Sequence, residues 1–218
     1  MSSSHRALDL FATVPPVLVN EESVDAALVH QLACLSAALE KERAEAPCRV
    51  DELLGLPAAQ RLERAVGPPF RTWGVAELLA RRAAEQTEPA RSEELASLGL
   101  AVAATLSEHP TAIVADLTAR LWAVRGQARI SSGDLAGSQE ALSAASACLE
   151  RGSGDLLTEA TLFELEARVL EAQDRPREAA SLLRQAATRY SEIGDRTGQT
   201  RVSGWRDRLL SRSEGETR

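Results

Sequence analysis

The chain has 218 residues, of which 44% are hydrophobic, 26% charged and 3% aromatic, and its formal net charge is −7. Alanine (38 residues) and leucine (31) dominate, and both favour helices, whereas the aromatic and β-branched residues that favour strands are scarce. The composition therefore excludes an all-β fold. The negative charge argues against a general nucleic-acid binder, which needs a basic surface.

The basic residues, the cysteines and the apolar runs indicate where the protein is located and what it does not bind. Lys41 is the only lysine, and the other 24 basic residues are arginines, which suit fixed salt-bridge networks or reflect genomic base composition. The three cysteines, Cys34, Cys48 and Cys148, are widely spaced and imply no disulfide framework. No apolar run reaches the 18 residues of a membrane span. We expect a cytoplasmic protein that binds neither nucleic acid nor membrane.

The first part of the chain is predicted to hold a leader and an N-terminal helical segment. Residues 1–19 are expected to be a flexible leader, because Pro15 and Pro16 block a helix there. The helical segment covers residues 20–66. It begins with a helix that runs from residue 20 to about 45, where Pro47 should end it, and continues with short helices. We expect this segment to cover the apolar end of the helices that follow.

Beyond the break at Gly67-Pro68-Pro69, long helices alternate with short turns that carry Pro or Gly. The predicted helices cover residues 71–87, 91–108, 111–131, 135–151, 155–173, 176–193 and 196–212. Short links between helices of this length predict antiparallel neighbours. His109, in one of these turns, is expected to be a solvent-exposed helix terminator, and residues 213–218 a frayed tail.

Three stretches of this series repeat one spacing of large and small residues. Trp122 and Gly126 are four residues apart, as are Phe163 and Ala167, and Ala84 stands at the corresponding position of the first stretch. Each stretch is followed by a turn and by further small residues. These later small positions are Ala96 and Ala103, Ser138 and Ala145, and Ala179 and Ala186.

This spacing resembles the tetratricopeptide repeat family, in a variant with longer helices. Successive small positions of the first helices are 41 or 42 residues apart, whereas the family's period is about 34. The resemblance implies an all-α solenoid of three helix pairs, 71–108, 111–151 and 155–193, and a repeat domain that ends in a capping helix, 196–212. The alternative is an ordinary Ala-rich helical bundle.

The resemblance also implies a concave groove, lined by the first helix of each pair, that binds a peptide or a partner protein. The predicted partner-binding residues are Arg81, Glu85, Arg120, Gln127, Thr161, Glu164 and Arg168, with Leu78 and Ala123 beside them. Arg120 and Arg168 leave an acidic ligand possible, although all these charges could simply be solvated. Since no catalytic constellation is visible, we expect a bacterial scaffold or adaptor, not an enzyme, that uses no cofactor.

A second candidate is the pair His30 and Cys34. Their spacing resembles the start of the zinc motif of anti-sigma-factor-like modules, but Ala37 stands where the next cysteine would fall. This resemblance implies, as an alternative function, a regulatory or sensor protein with a degenerate zinc segment linked to transcription control. The other interpretation is that both residues pack in the core near Cys48, with no metal bound.

Overall fold

The computed structural model describes residues 26–215, which form helices joined by short turns. The helices are α1 (Ala26–Gly55), α2 (Ala58–Ala65), a 3-10 turn (Pro68–Phe70), α3 (Trp73–Ala84), α4 (Pro89–Ala103), α5 (Thr111–Ser132), α6 (Leu135–Leu149), α7 (Leu156–Ala172), α8 (Pro176–Glu192) and α9 (Arg196–Gly215). No strand occurs in this range, so the described chain is all-α, as predicted. The predicted leader, residues 20–25 and residues 216–218 lie outside the described residues.

Helix α1 continues through Pro47, where its end was predicted, so that prediction is wrong. A proline inside a helix lacks the N–H that would bond four residues back and crowds the preceding turn. Contacts with α3 hold this part of α1 in place: Arg43 binds Glu77 through two hydrogen bonds of 2.6 and 2.9 Å, and Val50 is fully buried. Tertiary contacts therefore outweigh the local preference of proline.

Three of the helix connections share one turn geometry. The residue after, or shortly after, the helix adopts a left-handed backbone at Gly133 (φ 84°), Asp174 (φ 58°) and Gly194 (φ 76°). In each turn the next N–H donates to a carbonyl five residues earlier, as from Asp134 to Arg129 at 2.9 Å. This is the Schellman pattern, which satisfies the carbonyls at the end of a helix and turns the chain back sharply.

The helices pack mainly on their neighbours in the chain, and α5 also lies against α3 and α7. Helices α1 and α2 pack on α3 and α4. The buried apolar residues form three clusters in chain order. The first joins α1 to the beginning of α5, the second joins α5, α6 and α7, and the third joins α7, α8 and α9.

The predicted small residues of the second and third helix pairs are all buried. These residues are Gly126, Ser138, Ala145, Ala167, Ala179 and Ala186. Trp122 packs against the second cluster and Phe163 against the third, so the two large residues occupy matching places one pair apart. Gly126 lies at a close crossing, because a Cβ there would be 2.8 Å from Cδ2 of Leu142 on α6.

The first helix pair departs from the predicted alignment by one residue. Ala84 is exposed, whereas Ala83 is fully buried, so Ala83 occupies the small position. Counted from Ala83, the residues of α3 that correspond to Arg120, Ala123 and Gln127 of α5 are therefore Glu77, Ala80 and Ala84. The predicted Leu78, Arg81 and Glu85 each lie one position further along the helix.

Candidate interaction surface

The side of α5 and α7 that was predicted to bind a partner is extended by α9. Trp205 of α9 donates its indole N–H to Glu171 of α7 at 3.0 Å, and the guanidinium of Arg168 lies 6.0 Å from the centre of the same indole ring. Arg212 approaches Glu171 at 3.6 Å. We call the surface formed by Gln127, Thr161, Arg168 and Trp205 the Arg168 face.

Arg120 is engaged within the fold. It donates two hydrogen bonds, of 3.0 and 2.6 Å, to Asp155, the residue that caps the N-terminus of α7. Burial alone would raise the pKa of Asp155, but the charge of Arg120 and hydrogen bonds from Thr158 outweigh it and lower that pKa below its ordinary value. The pair therefore fixes the start of α7 against α5.

Glu164 is also engaged within the fold, in a buried cluster between α7, α8 and α9. Only 4% of the residue is exposed, and its carboxylate accepts hydrogen bonds from the Tyr190 hydroxyl and from Arg201. Burial, and then the charge of Glu164, raise the pKa of Tyr190 well above its ordinary value. Glu164 thus joins three helices and presents no exposed carboxylate.

Arg168 differs from these two residues because its charge has no carboxylate partner among residues 26–215. The exposed side chain donates to the amide oxygen of Gln127 on α5 at 2.7 Å. Its other neighbour is the ring of Trp205, and both neighbours are neutral. The half-buried Thr161 lies about two helix turns before Arg168 on α7 and donates to the carbonyl of Leu157 at 2.9 Å.

Arg81 and Glu85 lie at the end of α3 and are both exposed, without side-chain partners in the described part of the chain. Sequence reasoning missed Asp155 and the placement of Trp205. Asp155 could have been found as a helix cap, because it follows Gly154 and precedes the run Leu156-Leu157-Thr158. Trp205 is half-buried and packs at the edge of the third cluster.

The second candidate site is the predicted zinc motif of His30 and Cys34 in the N-terminal segment. Cys34 is exposed, as is Cys48, so the interpretation that Cys34 packs in the core near Cys48 is wrong. The side chain of His30 is outside the described part, and no group of three or more His, Cys, Asp or Glu within that part is arranged to hold a metal ion. Binding of zinc by this segment stays a prediction.

His109 was expected to be exposed, and this is wrong. Its side chain is 17% exposed, with Nε2 3.9 Å from Oε1 of Glu42 on α1, and its ring centre is 6.0 Å from that of Trp73 on α3. His109 is partly covered because α1 passes close to it and to the beginning of α3 at Glu42. A Cβ on Gly74 would overlap the carbonyl group of Glu42 at this crossing.

Within the described residues, no helix combines the length and apolar character needed to cross a membrane. Comparison of the chain with protein-family models, with curated proteins and with solved structures gives no match.

Proposed function

We propose that this protein is a tetratricopeptide-like interaction scaffold or regulatory adaptor that binds an acidic segment of a partner protein on the Arg168 face. The proposal is supported by the succession of antiparallel helix hairpins and by the contact of α5 with both α3 and α7, which sets the first helices of the pairs side by side. The small residues Ala83, Gly126 and Ala167 recur after 43 and 41 residues, and this nearly constant spacing supports the proposal too. The bacterial origin and cytoplasmic location expected from the sequence stay predictions.

The observation that carries this proposal is the unpaired charge of Arg168. Arg120 and Arg201 form salt bridges with Asp155 and Glu164. Arg168 forms a hydrogen bond only with the neutral side chain of Gln127. A guanidinium with free N–H groups binds a carboxylate through two parallel hydrogen bonds. Trp205 beside it offers a partly exposed aromatic surface for an apolar side chain of the same segment.

The first experiment identifies the partner by site-specific photo-crosslinking in the native host. A photoreactive amino acid replaces Gln127 on the Arg168 face or, as a matched control, the exposed Gln139 on α6. We expect the probe at Gln127 to capture one protein through a segment rich in Asp and Glu. Equal capture by the probe at Gln139 would contradict the proposed face.

The second experiment measures the affinity of that segment for charge-reversed variants. Arg168→Glu should weaken binding at least about tenfold, because it replaces a charge-assisted hydrogen bond of roughly 1.5–3 kcal/mol with a repulsion. Arg64→Glu, at an exposed arginine of α2 without a side-chain partner, should leave the affinity unchanged. Both variants should keep the wild-type melting temperature. Unchanged affinity for Arg168→Glu would overturn the proposal.

A further inference from the structure

We infer that a cleft between α8 and α9 binds a phosphate group. The cleft has a volume of about 410 Å³ and opens to solvent. Its polar lining includes Arg184 and Ser191 from α8 and Gln199, Ser203 and Arg206 from α9. The α9 residues are half-buried and form the inner part of the cleft, whereas Arg184 and Ser191 are exposed at its rim.

The donors of this cleft are largely unused. Within residues 26–215, the side chains of Arg184, Ser191, Gln199 and Ser203 have no hydrogen-bond or ion-pair partner. Arg206 binds only its neighbour in the chain, Asp207, at 2.8 and 3.0 Å. Many other arginines of the protein reach a carboxylate on another helix, so free donors that converge on one concave surface are available to a ligand.

The charge of the cleft favours an anion. Its lining holds two arginines and one carboxylate, Glu192, which pairs with Arg189 at 3.0 Å, and Arg189 also pairs with Glu159 of α7 at 2.8 Å. Residues 176–212, which comprise α8 and most of α9, contain eight arginines and four acidic residues and carry a net charge of +4, although the whole chain has −7. Three of these arginines, Arg189, Arg201 and Arg212, pair with carboxylates of α7, so the positive charge that remains for an anion in the cleft is that of Arg184.

The number of donors favours phosphate over a carboxylate. Two guanidinium groups, two hydroxyls and one amide offer more N–H and O–H groups than the two oxygens of a carboxylate can accept. A phosphate has three strong acceptor oxygens and nearly two negative charges, which is the chemistry that arginine clusters bind. The exposed rim leaves room for whatever molecule carries the phosphate.

This cleft is separate from the Arg168 face, and the inference does not depend on the proposed function. Arg201 and Trp205 of α9 bond to α7, whereas Gln199, Ser203 and Arg206 line the cleft toward α8. A ligand in the cleft would therefore contact the other side of α9. The two sites can be tested independently with the same protein.

The test is a titration followed by NMR, in which the side-chain amide of Gln199 and the backbone amides of Ser191 and Ser203 report on the cleft. The probes are inorganic phosphate, a capped phosphoserine and acetate, all at constant ionic strength. We expect saturable shifts with the first two probes and at least tenfold weaker binding of acetate. Tighter binding of phosphoserine would indicate a phosphorylated partner, and equal binding would indicate free phosphate; both support the site.

Variants decide whether the arginines hold the phosphate. Arg184→Gln and Arg206→Gln should each weaken binding, and the double variant should lose at least tenfold. Arg177→Gln, at an exposed arginine on the same helix α8 but outside the cleft, and Arg168→Glu should both bind as the wild type does. Shifts that do not saturate, that are equal with acetate, or that persist unchanged in the double variant would overturn the inference.

Discussion

Arginine is the residue that joins one helix of this protein to the next. Eight arginines bind carboxylates 30 to 37 residues away in the sequence: Arg43–Glu77, Arg61–Glu94, Arg82–Asp51, Arg120–Asp155, Arg125–Glu93, Arg129–Glu93, Arg189–Glu159 and Arg201–Glu164. The planar guanidinium binds two oxygens in a fixed geometry, which lysine cannot do. Most of these pairs are partly exposed and contribute about 0–1 kcal/mol each, so they fix the geometry more than they stabilise the fold.

The buried cluster of Glu164, Tyr190 and Arg201 can be tested directly, because Tyr190 is the only tyrosine of the chain. Burial, followed by the charge of Glu164, raises its pKa, so the folded protein keeps the phenol neutral. Its stabilising contribution is complete below the ordinary tyrosine pKa of about 10 and is lost as the pH rises toward the folded value. In an alkaline titration at about pH 10.5, we expect tyrosinate absorbance only in denaturant.

The control for this titration is Tyr190→Phe. This variant should lose the absorbance change and should show a smaller drop of melting temperature between about pH 9 and pH 11. Ionisation of Tyr190 at an ordinary pKa while the helices remain intact would contradict the buried cluster.

At the scale of helix pairs, the cost of replacing a glycine at a close crossing depends on which atoms the new side chain would meet. Gly74→Ala would place a methyl group against the backbone of α1 at Glu42, which cannot turn away, and should cost about 2–3 kcal/mol. Gly126→Ala meets only the end of the Leu142 side chain and should cost less, whereas Gly126→Leu should cost about 1–3 kcal/mol or more. Urea denaturation measures the free energy of unfolding of each variant and so ranks these losses of stability.

The matched control is Gly204→Ala on α9, where the nearest atom is Nη1 of Arg208 at 3.6 Å. Because alanine favours a helix by about 0.8–1 kcal/mol over glycine, this variant should be more stable than the wild type. A loss at Gly204 equal to that at Gly74 would show that packing does not determine these effects.

The elements that could be predicted from sequence are those set by local chemistry. Pro and Gly in the turns, such as Gly133 and Gly194, fixed the approximate ends of the helices from α5 onward, because they act within a few residues. Distant contacts decided the rest. The helix continues through Pro47 because Arg43 and Val50, on either side of it, are held by tertiary contacts. Packing around α3 buries Ala83 and leaves Ala84 exposed. The pairing of Arg120 with Asp155 appears only when α5 meets α7.

The described part of the molecule is a succession of contacts between neighbouring helices, and the clustered buried apolar residues of that part fall into three groups. Arg201→Met leaves Glu164 buried without its guanidinium and should cost up to about 3 kcal/mol, less than for a fully buried pair because Arg201 is 39% exposed. Hydrogen exchange should accelerate in α8 and α9 and stay unchanged in α3 and α4.

Arg196→Met serves as the control for this exchange experiment, because Arg196 is an exposed arginine of the same helix without a side-chain partner. It should leave exchange rates as in the wild type. An equal acceleration in all helices of Arg201→Met would mean that the described chain unfolds as a single cooperative unit.

The separation of the buried residues into three clusters also has a mechanical consequence. When the two ends of the described chain are pulled apart, the clusters lie in series, and each one bears the full tension. The weakest cluster then opens first and lengthens the molecule while the others remain closed. We therefore expect the described chain to yield to stretching in successive steps.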